Sequence, residues 1–365
     1  MAVGEITING GDKPKRFVRI PDMFASFMSI EPRTNPHYSK VKRESEEWIA
    51  EILRLDEKAA RRNSKADFTY LAALWIPDAD EEALRVVVDW LHWIFFFDDQ
   101  FDEGHLQNDY ESAKVECDAT FATMEDGHPI VSVEEYPLRW VYQYNWFCFQ
   151  KRASPGLQQR YKDSMKGYFD AVLGQVNVAS ESLNLNVEEY MDFRRRSIGV
   201  FPTQELIEYV DSSSIATSFA DMAPERFAHG IKLPQYVFNA QAITALRRIS
   251  ADMTALGNDM VSYRKDLIQG VEHNVIFIYR RKGLSEQQAV DALGEMVNRL
   301  YKEWYRALAE MPTWGEKVDR EVLKYCCGCR DIAIGDHYWE FKSGRYLKQD
   351  EGDIVRQTRI LELPL

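Results

Sequence analysis

Apolar residues recur along this chain at three- and four-residue intervals, and hardly anywhere at every second position. The first spacing lines one face of an α-helix and the second one face of a strand, so the chain reads as all-α. Thr34-Asn35-Pro36-His37 predicts a helix start, with Asn as the cap and Pro at the first helical position. Trp48, Ile49, Ile52 and Leu53 carry that helix to about residue 55. Further helices are expected over residues 67–76, 80–102, 107–122, 133–152, 155–178, 187–198, 203–222, 234–268, 271–282, 284–310 and 316–342. The breakers fall between them, among them Pro77, Gly127-His128-Pro129, Pro155-Gly156, Pro202, Pro224, Pro234, Gly283 and Pro312. Residues 1–33 show no sustained period and read as an irregular arm, and residues 348–365 read as a tail. With short connections, no linker and no repeat, residues 34–347 are expected to form one bundle of about a dozen helices.

Two of these helices carry acids and amides where a core stripe has Leu or Val. Leu84, Val87, Val88, Leu91 and Phe95 run straight into Asp98-Asp99-Gln100-Phe101-Asp102. Asp98 and Asp102 are four apart, so they share a helical face about 6 Å apart. Asp99 lies about 100° round the helix and is assigned a supporting role. Carboxylates beside an apolar run sit at a cavity mouth or hold a cation. The second stripe is Asn258, Ser262 and Asp266, spaced four and four, flanked by Ile249, Met253, Leu256 and Met260. An amide carbonyl, a hydroxyl and a carboxylate in a row are oxygen donors of the kind that suit Mg²⁺, with Mn²⁺ possible. Lys265 stands next to them and offers a charge to a phosphate.

Composition narrows the partners. The 365 residues are 13% aromatic, rich enough to line an apolar pocket, and the net charge is −13. That sign argues against nucleic acid or an anionic membrane surface, but not against a phosphorylated small molecule held through metal ions. No run of 18 apolar residues suggests a membrane span, and the start of the chain does not resemble a secretory signal. Five cysteines fit a reduced compartment, so a cytoplasmic protein, monomeric or homodimeric, is expected. Cys326, Cys327 and Cys329 cluster without a second Cys or His pair at zinc spacing, and no metal role is expected of them.

The two motifs together carry a resemblance. Asp98-Asp99-x-x-Asp102 is similar to the DDxxD motif of class I terpene synthases, and Asn258-Asp259-x-x-Ser262-x-x-x-Asp266 to the second metal motif of that family. Arg33-x-Asn35-Pro36-His37-Tyr38, Arg194-Arg195-x-Ser197-x-Gly199 and Trp339 followed by Arg345-Tyr346 extend it over about residues 20–350. The form resembles the microbial, fungal-type sesquiterpene cyclases. The resemblance implies the single-domain class I fold around a central apolar cavity, and three Mg²⁺ held by Asp98, Asp102, Asn258, Ser262 and Asp266. It implies that Arg195, Lys265, Arg345 and Tyr346 bind diphosphate, with Arg195 sensing it four residues before Gly199. Gly199 would aim its carbonyl into the cavity, and Ile198 between them leaves only a backbone route. Phe95 and Trp339 are expected to offer ring faces to a carbocation, with Phe68 and Phe193 as lesser candidates. The implied reaction is ionisation and cyclisation of farnesyl diphosphate, the released diphosphate being a candidate proton acceptor; geranyl and geranylgeranyl diphosphate remain open. A chain-elongating prenyltransferase would be expected to show a second DDxxD in place of the Asn/Ser/Asp set. Gly335-Asp336 departs from the Gly-Asn that relatives often carry.

Overall fold

In the computed structural model, residues 15–102, 104–181, 185–210, 233–348 and 350–364 are described. After a short strand, β1 (Arg16–Arg19), come α1 (Tyr38–Ile52), α2 (Glu57–Ala66), α3 (Phe68–Trp75), α4 (Glu81–Asp102), α5 (Tyr110–Ala122), α6 (Pro137–Gln150) and α7 (Pro155–Glu181). The second half holds α8 (Val187–Ser197), α9 (Val200–Tyr209), α10 (Gln241–Gln269), α11 (Val275–Arg281), α12 (Glu286–Ala309), α13 (Glu316–Lys342), α14 (Glu351–Thr358) and the strand β2 (Ile360–Leu363). The all-α expectation stands: among the described residues the only sheet is the β1–β2 pair.

α10 is buried around most of its circumference, which is why its sequence is apolar beyond a single stripe. It packs on α13 and α12, while α4 packs on α6, α3 and α1, and α7 on α9, α5 and α8. The close approach of α10 to α13 depends on Gly257, since a Cβ there would lie 2.2 Å from Cε1 of the buried His337 ring. Three long helices, α4, α7 and α10, and the C-terminal half of α13 thereby face a common cleft.

The differences from expectation are local. α1 begins at Tyr38 rather than at the predicted cap. The Asn35 amide instead donates to the carbonyls of Ile76 and Ala79, at 2.8 and 3.0 Å, and ties the chain to the turn before α4. α2 has no apolar stripe, so periodicity misses it; Asp56 caps it by accepting from the Ala59 N–H. Pro202 does not stop a helix but sits in the first turn of α9, where its missing N–H costs no hydrogen bond. The part of the predicted 203–222 helix beyond residue 210 lies outside the described residues. Residues 235–239 form a 3₁₀ turn, and α10 starts only at Gln241. The arm and tail expected to be irregular pair with each other: β1 and β2 are antiparallel, with Val18 opposite Leu361, and the Gln287 side chain on α12 bonds both the N–H and the carbonyl of Arg19. Four-residue strands are too short to leave a period-2 signature.

Candidate active site

The last turns of α4 place Asp98 and Asp102 on the wall of the cleft, opposite the Asn258, Ser262 and Asp266 stripe of α10. The cleft holds about 1060 Å³, counting its open mouth. α7 steadies both acids: the Tyr168 hydroxyl donates to Asp98 at 3.1 Å and the Gln175 amide to Asp102 at 2.5 Å. Their setting pushes the Asp98 carboxyl up to about 8, first by burial and then by the neighbouring Asp102 and Asp99. Asp102 is raised too, chiefly by burial, with Arg194 and Lys265 pulling the other way. Crowded, recessed carboxyls that resist ionisation are half of a cation site: a divalent ion would supply the charge that protons supply here.

The second half is held together from behind. The Ser262 hydroxyl donates to Asp266 at 2.7 Å, and the Asn274 amide, at the start of α11, donates to Asp266 at 3.0 Å. Burial raises the Asp266 carboxyl to about 6 against these two bonds. Asn258 presents its amide N–H groups to Glu340 at 3.0 Å and to the Tyr346 hydroxyl at 2.9 Å. Asp259 points away from the cleft, where Tyr190, Arg194 and the Val275 N–H satisfy it. Among the described residues no three His, Cys, Asp or Glu side chains already converge into a cage; the oxygen donors stand on two facing walls. Asn and Ser complete the α10 wall, and neutral oxygens beside carboxylates are the donor chemistry of a hard divalent cation.

Cationic and phenolic donors rim the same mouth. Lys265, Arg345 and Tyr346 line it as expected, and so does Arg194. Arg195 does not line the cleft. Its Nε bonds Asp252 at 2.7 Å on the outer side of α8, while Arg194 reaches Asn258 Oδ1 at 2.7 Å and Asp259 at 3.2 Å. One residue along a helix is a rotation of about 100°, enough to move an arginine from the cavity to the surface. Gly199, as expected of a cavity residue, lines the cleft. Its φ of +77° lets the chain turn between α8 and α9 at the cleft wall, and its carbonyl accepts from the Thr203 N–H and hydroxyl, at 3.3 and 2.9 Å.

Below the polar mouth the walls are apolar, with Leu71, Leu91, Ile94, Phe95, Val200 and Trp339 among them. Trp339 is fixed by its indole N–H, which donates to the Ala66 carbonyl at 2.6 Å. Phe95 lines the cleft with its ring shared: Phe68 stacks on it at 4.2 Å and the Arg345 guanidinium lies 4.7 Å from its centroid. Phe68 therefore backs Phe95 rather than facing the cleft, and Phe193 packs on His273 without lining it. Sequence reasoning missed Tyr168, Gln175 and Asn274. Only Asn274 left a local trace, as an Asn ahead of the helical Val275-Ile276.

Comparison with known proteins decides the family. Residues 89–303, more than half of the chain, match the family described as terpene synthase family 2, C-terminal metal binding. The chain belongs to the terpene synthases. A (+)-eremophilene synthase of Gibberella fujikuroi is 40% identical over 362 residues, covering 99% of this chain and 96% of that protein. Terpene cyclase 4 of the same organism is 41% identical, over 98% of this chain and 93% of its own. The crystal structure of an α-eudesmol synthase superposes with a TM-score of 0.73 at 20% identity, over 86% of this chain and 98% of that one, and so shares the fold. This terpene synthase is thus an enzyme of a metal-binding family, and among its described residues no helix is long and apolar enough to cross a membrane.

Proposed function

We propose that this terpene synthase is a sesquiterpene cyclase that ionises farnesyl diphosphate and closes the resulting carbocation into a cyclic hydrocarbon or alcohol. The observation that carries the reading is the polarity gradient of one cleft: oxygen donors on two facing walls and cations at its mouth, apolar side chains beneath. Asp98 and Asp102 on one wall and Asn258, Ser262 and Asp266 on the other are the residues that would hold Mg²⁺, three ions in all. Bound there, the ions supply the positive charge that makes diphosphate a good leaving group.

Arg194, Lys265, Arg345 and Tyr346 receive the diphosphate oxygens, on which negative charge grows as the allylic C–O bond breaks and its electron pair leaves with the phosphate. The apolar walls keep water from the cation until cyclisation is complete. A proton then passes from a neighbouring carbon, or from an added water, to the released diphosphate, which departs. Incubation with Mg²⁺ and farnesyl diphosphate, alongside geranyl and geranylgeranyl diphosphate, followed by mass spectrometry of the volatiles, tests this. A C15 product that disappears in Asp98→Ala and in Asn258→Ala is expected, both variants melting as folded proteins. Turnover confined to the C10 or C20 substrate, or wild-type rates in either variant, would overturn it.

A further inference from the structure

Two acids of α13 face the cleft without an expected role there, Asp336 and Glu340, one turn apart. They make two rungs with α10. In the upper rung Glu340 accepts from Asn258, at the level of the metal-ligand stripe. In the lower rung the Thr254 hydroxyl donates to Asp336 at 3.3 Å. Thr254 precedes Asn258 by four residues, so the lower rung lies about 6 Å further from the mouth, among the apolar walls. Asp336 is buried, and among the described residues no lysine or arginine pairs with it. Burial holds its carboxyl up at about 8, against the Thr254 hydroxyl and the Trp75 indole, so at neutral pH it is a neutral acid. That matters for chemistry, because an ionised carboxylate would trap a carbocation as an ester, whereas a neutral carboxyl presents only the negative end of its carbonyl dipole. Phe95, the ring nearest the metal side, already carries Phe68 at 4.2 Å and the Arg345 cation at 4.7 Å, so a carbonyl dipole adds to what the aromatic walls offer a cation.

We propose that the Thr254–Asp336 rung is a specificity-determining site of the cyclisation, its carbonyl oxygen fixing where positive charge rests in the folded carbocation and hence which bond closes. The proposal rests on the cyclase reading above. Asp, Asn and Leu are alike in size at this position, but only Asp and Asn carry the carbonyl dipole, so Asp336→Asn and Asp336→Leu separate electrostatics from shape. Diphosphate release and the full product profile are measured for each with Mg²⁺ and farnesyl diphosphate. In Asp336→Leu the fraction of the main product is expected to fall by about threefold or more relative to the other products, a larger change than in diphosphate release. Asp336→Asn should restore the wild-type profile, and Thr254→Val, which removes the donor that fixes the carboxyl, should shift it in the same sense as Leu. An unchanged profile in Asp336→Leu, or equal scrambling in Asn and Leu, overturns the proposal. Failure of the wild-type protein to release diphosphate would instead overturn the cyclase reading, and this rung with it.

Discussion

The assignment of Arg194 rather than Arg195 to the cleft is the sharpest functional consequence of the geometry. Arg194 uses two edges of its guanidinium at once, Nη2 to Asn258 at 2.7 Å and Nε to Asp259 at 3.2 Å. A lysine keeps the charge but not the fork, so Arg194→Lys gives up one charge-assisted bond. Such a bond is worth about 1.5–3 kcal/mol. At about 1.4 kcal/mol per decade, kcat/KM for farnesyl diphosphate should fall roughly 10- to 150-fold. Stability should change little, since the new ammonium still stands near Asp259, which keeps its bonds from Tyr190 and the Val275 N–H. Arg195→Lys is the matched comparison: Asp252, its partner, is also bonded by Arg248 at 2.7 Å and stays compensated. Its kcat/KM should stay within about threefold of wild type, as for a partly exposed ion pair. Steady-state diphosphate release, with thermal melts of all three proteins, makes the comparison. Equal losses in the two variants, or a wild-type rate in Arg194→Lys, would refute the reasoning.

Asp98→Asn should stabilise the metal-free protein at pH 8, because the native carboxyl, raised from 3.8 to about 8, holds a proton that the unfolded chain has lost. The native state therefore loses stability as pH rises from about 4 to about 8, and the variant's advantage should vanish near pH 4. The shift sets a ceiling of about 5 kcal/mol, which water in the open cleft reduces to about 1–2 kcal/mol, or a few degrees in Tm in the presence of a chelator; no gain at pH 8 would contradict this. Gly257→Ala should destabilise by about 1–3 kcal/mol, since the buried His337 ring has to yield to the new methyl, and a urea titration with an unchanged midpoint would count against the tight α10–α13 crossing. Mg²⁺ with inorganic diphosphate should stabilise the wild-type protein through binding to the native state alone, by about 2.7 kcal/mol at a hundredfold excess over Kd, read as a rise in Tm that is far smaller in Asn258→Ala.

Both oxygen-donor stripes, the all-α fold and the positions of most helices were legible in the chain itself, because they rest on short-range periodicity. Asp98 and Asp102 share a face at any tertiary arrangement, and so do Asn258, Ser262 and Asp266. What periodicity leaves open is rotation and depth. Whether Arg194 or Arg195 enters the cleft depends on the roll of α8 against α10, set by the Arg194–Asp259 and Arg195–Asp252 pairs across the interface. That Phe95 is shared between Phe68 and Arg345, 27 and 250 positions away in sequence, is decided by the packing that brings both to one ring. The pairing of β1 with β2 is longer-range still, joining the two ends of the chain in strands too short to announce themselves. And Asp336 reads in the sequence only as a departure from Gly-Asn until folding buries it beside Thr254, where removal from water, rather than any neighbour in sequence, makes it a neutral dipole in the cavity.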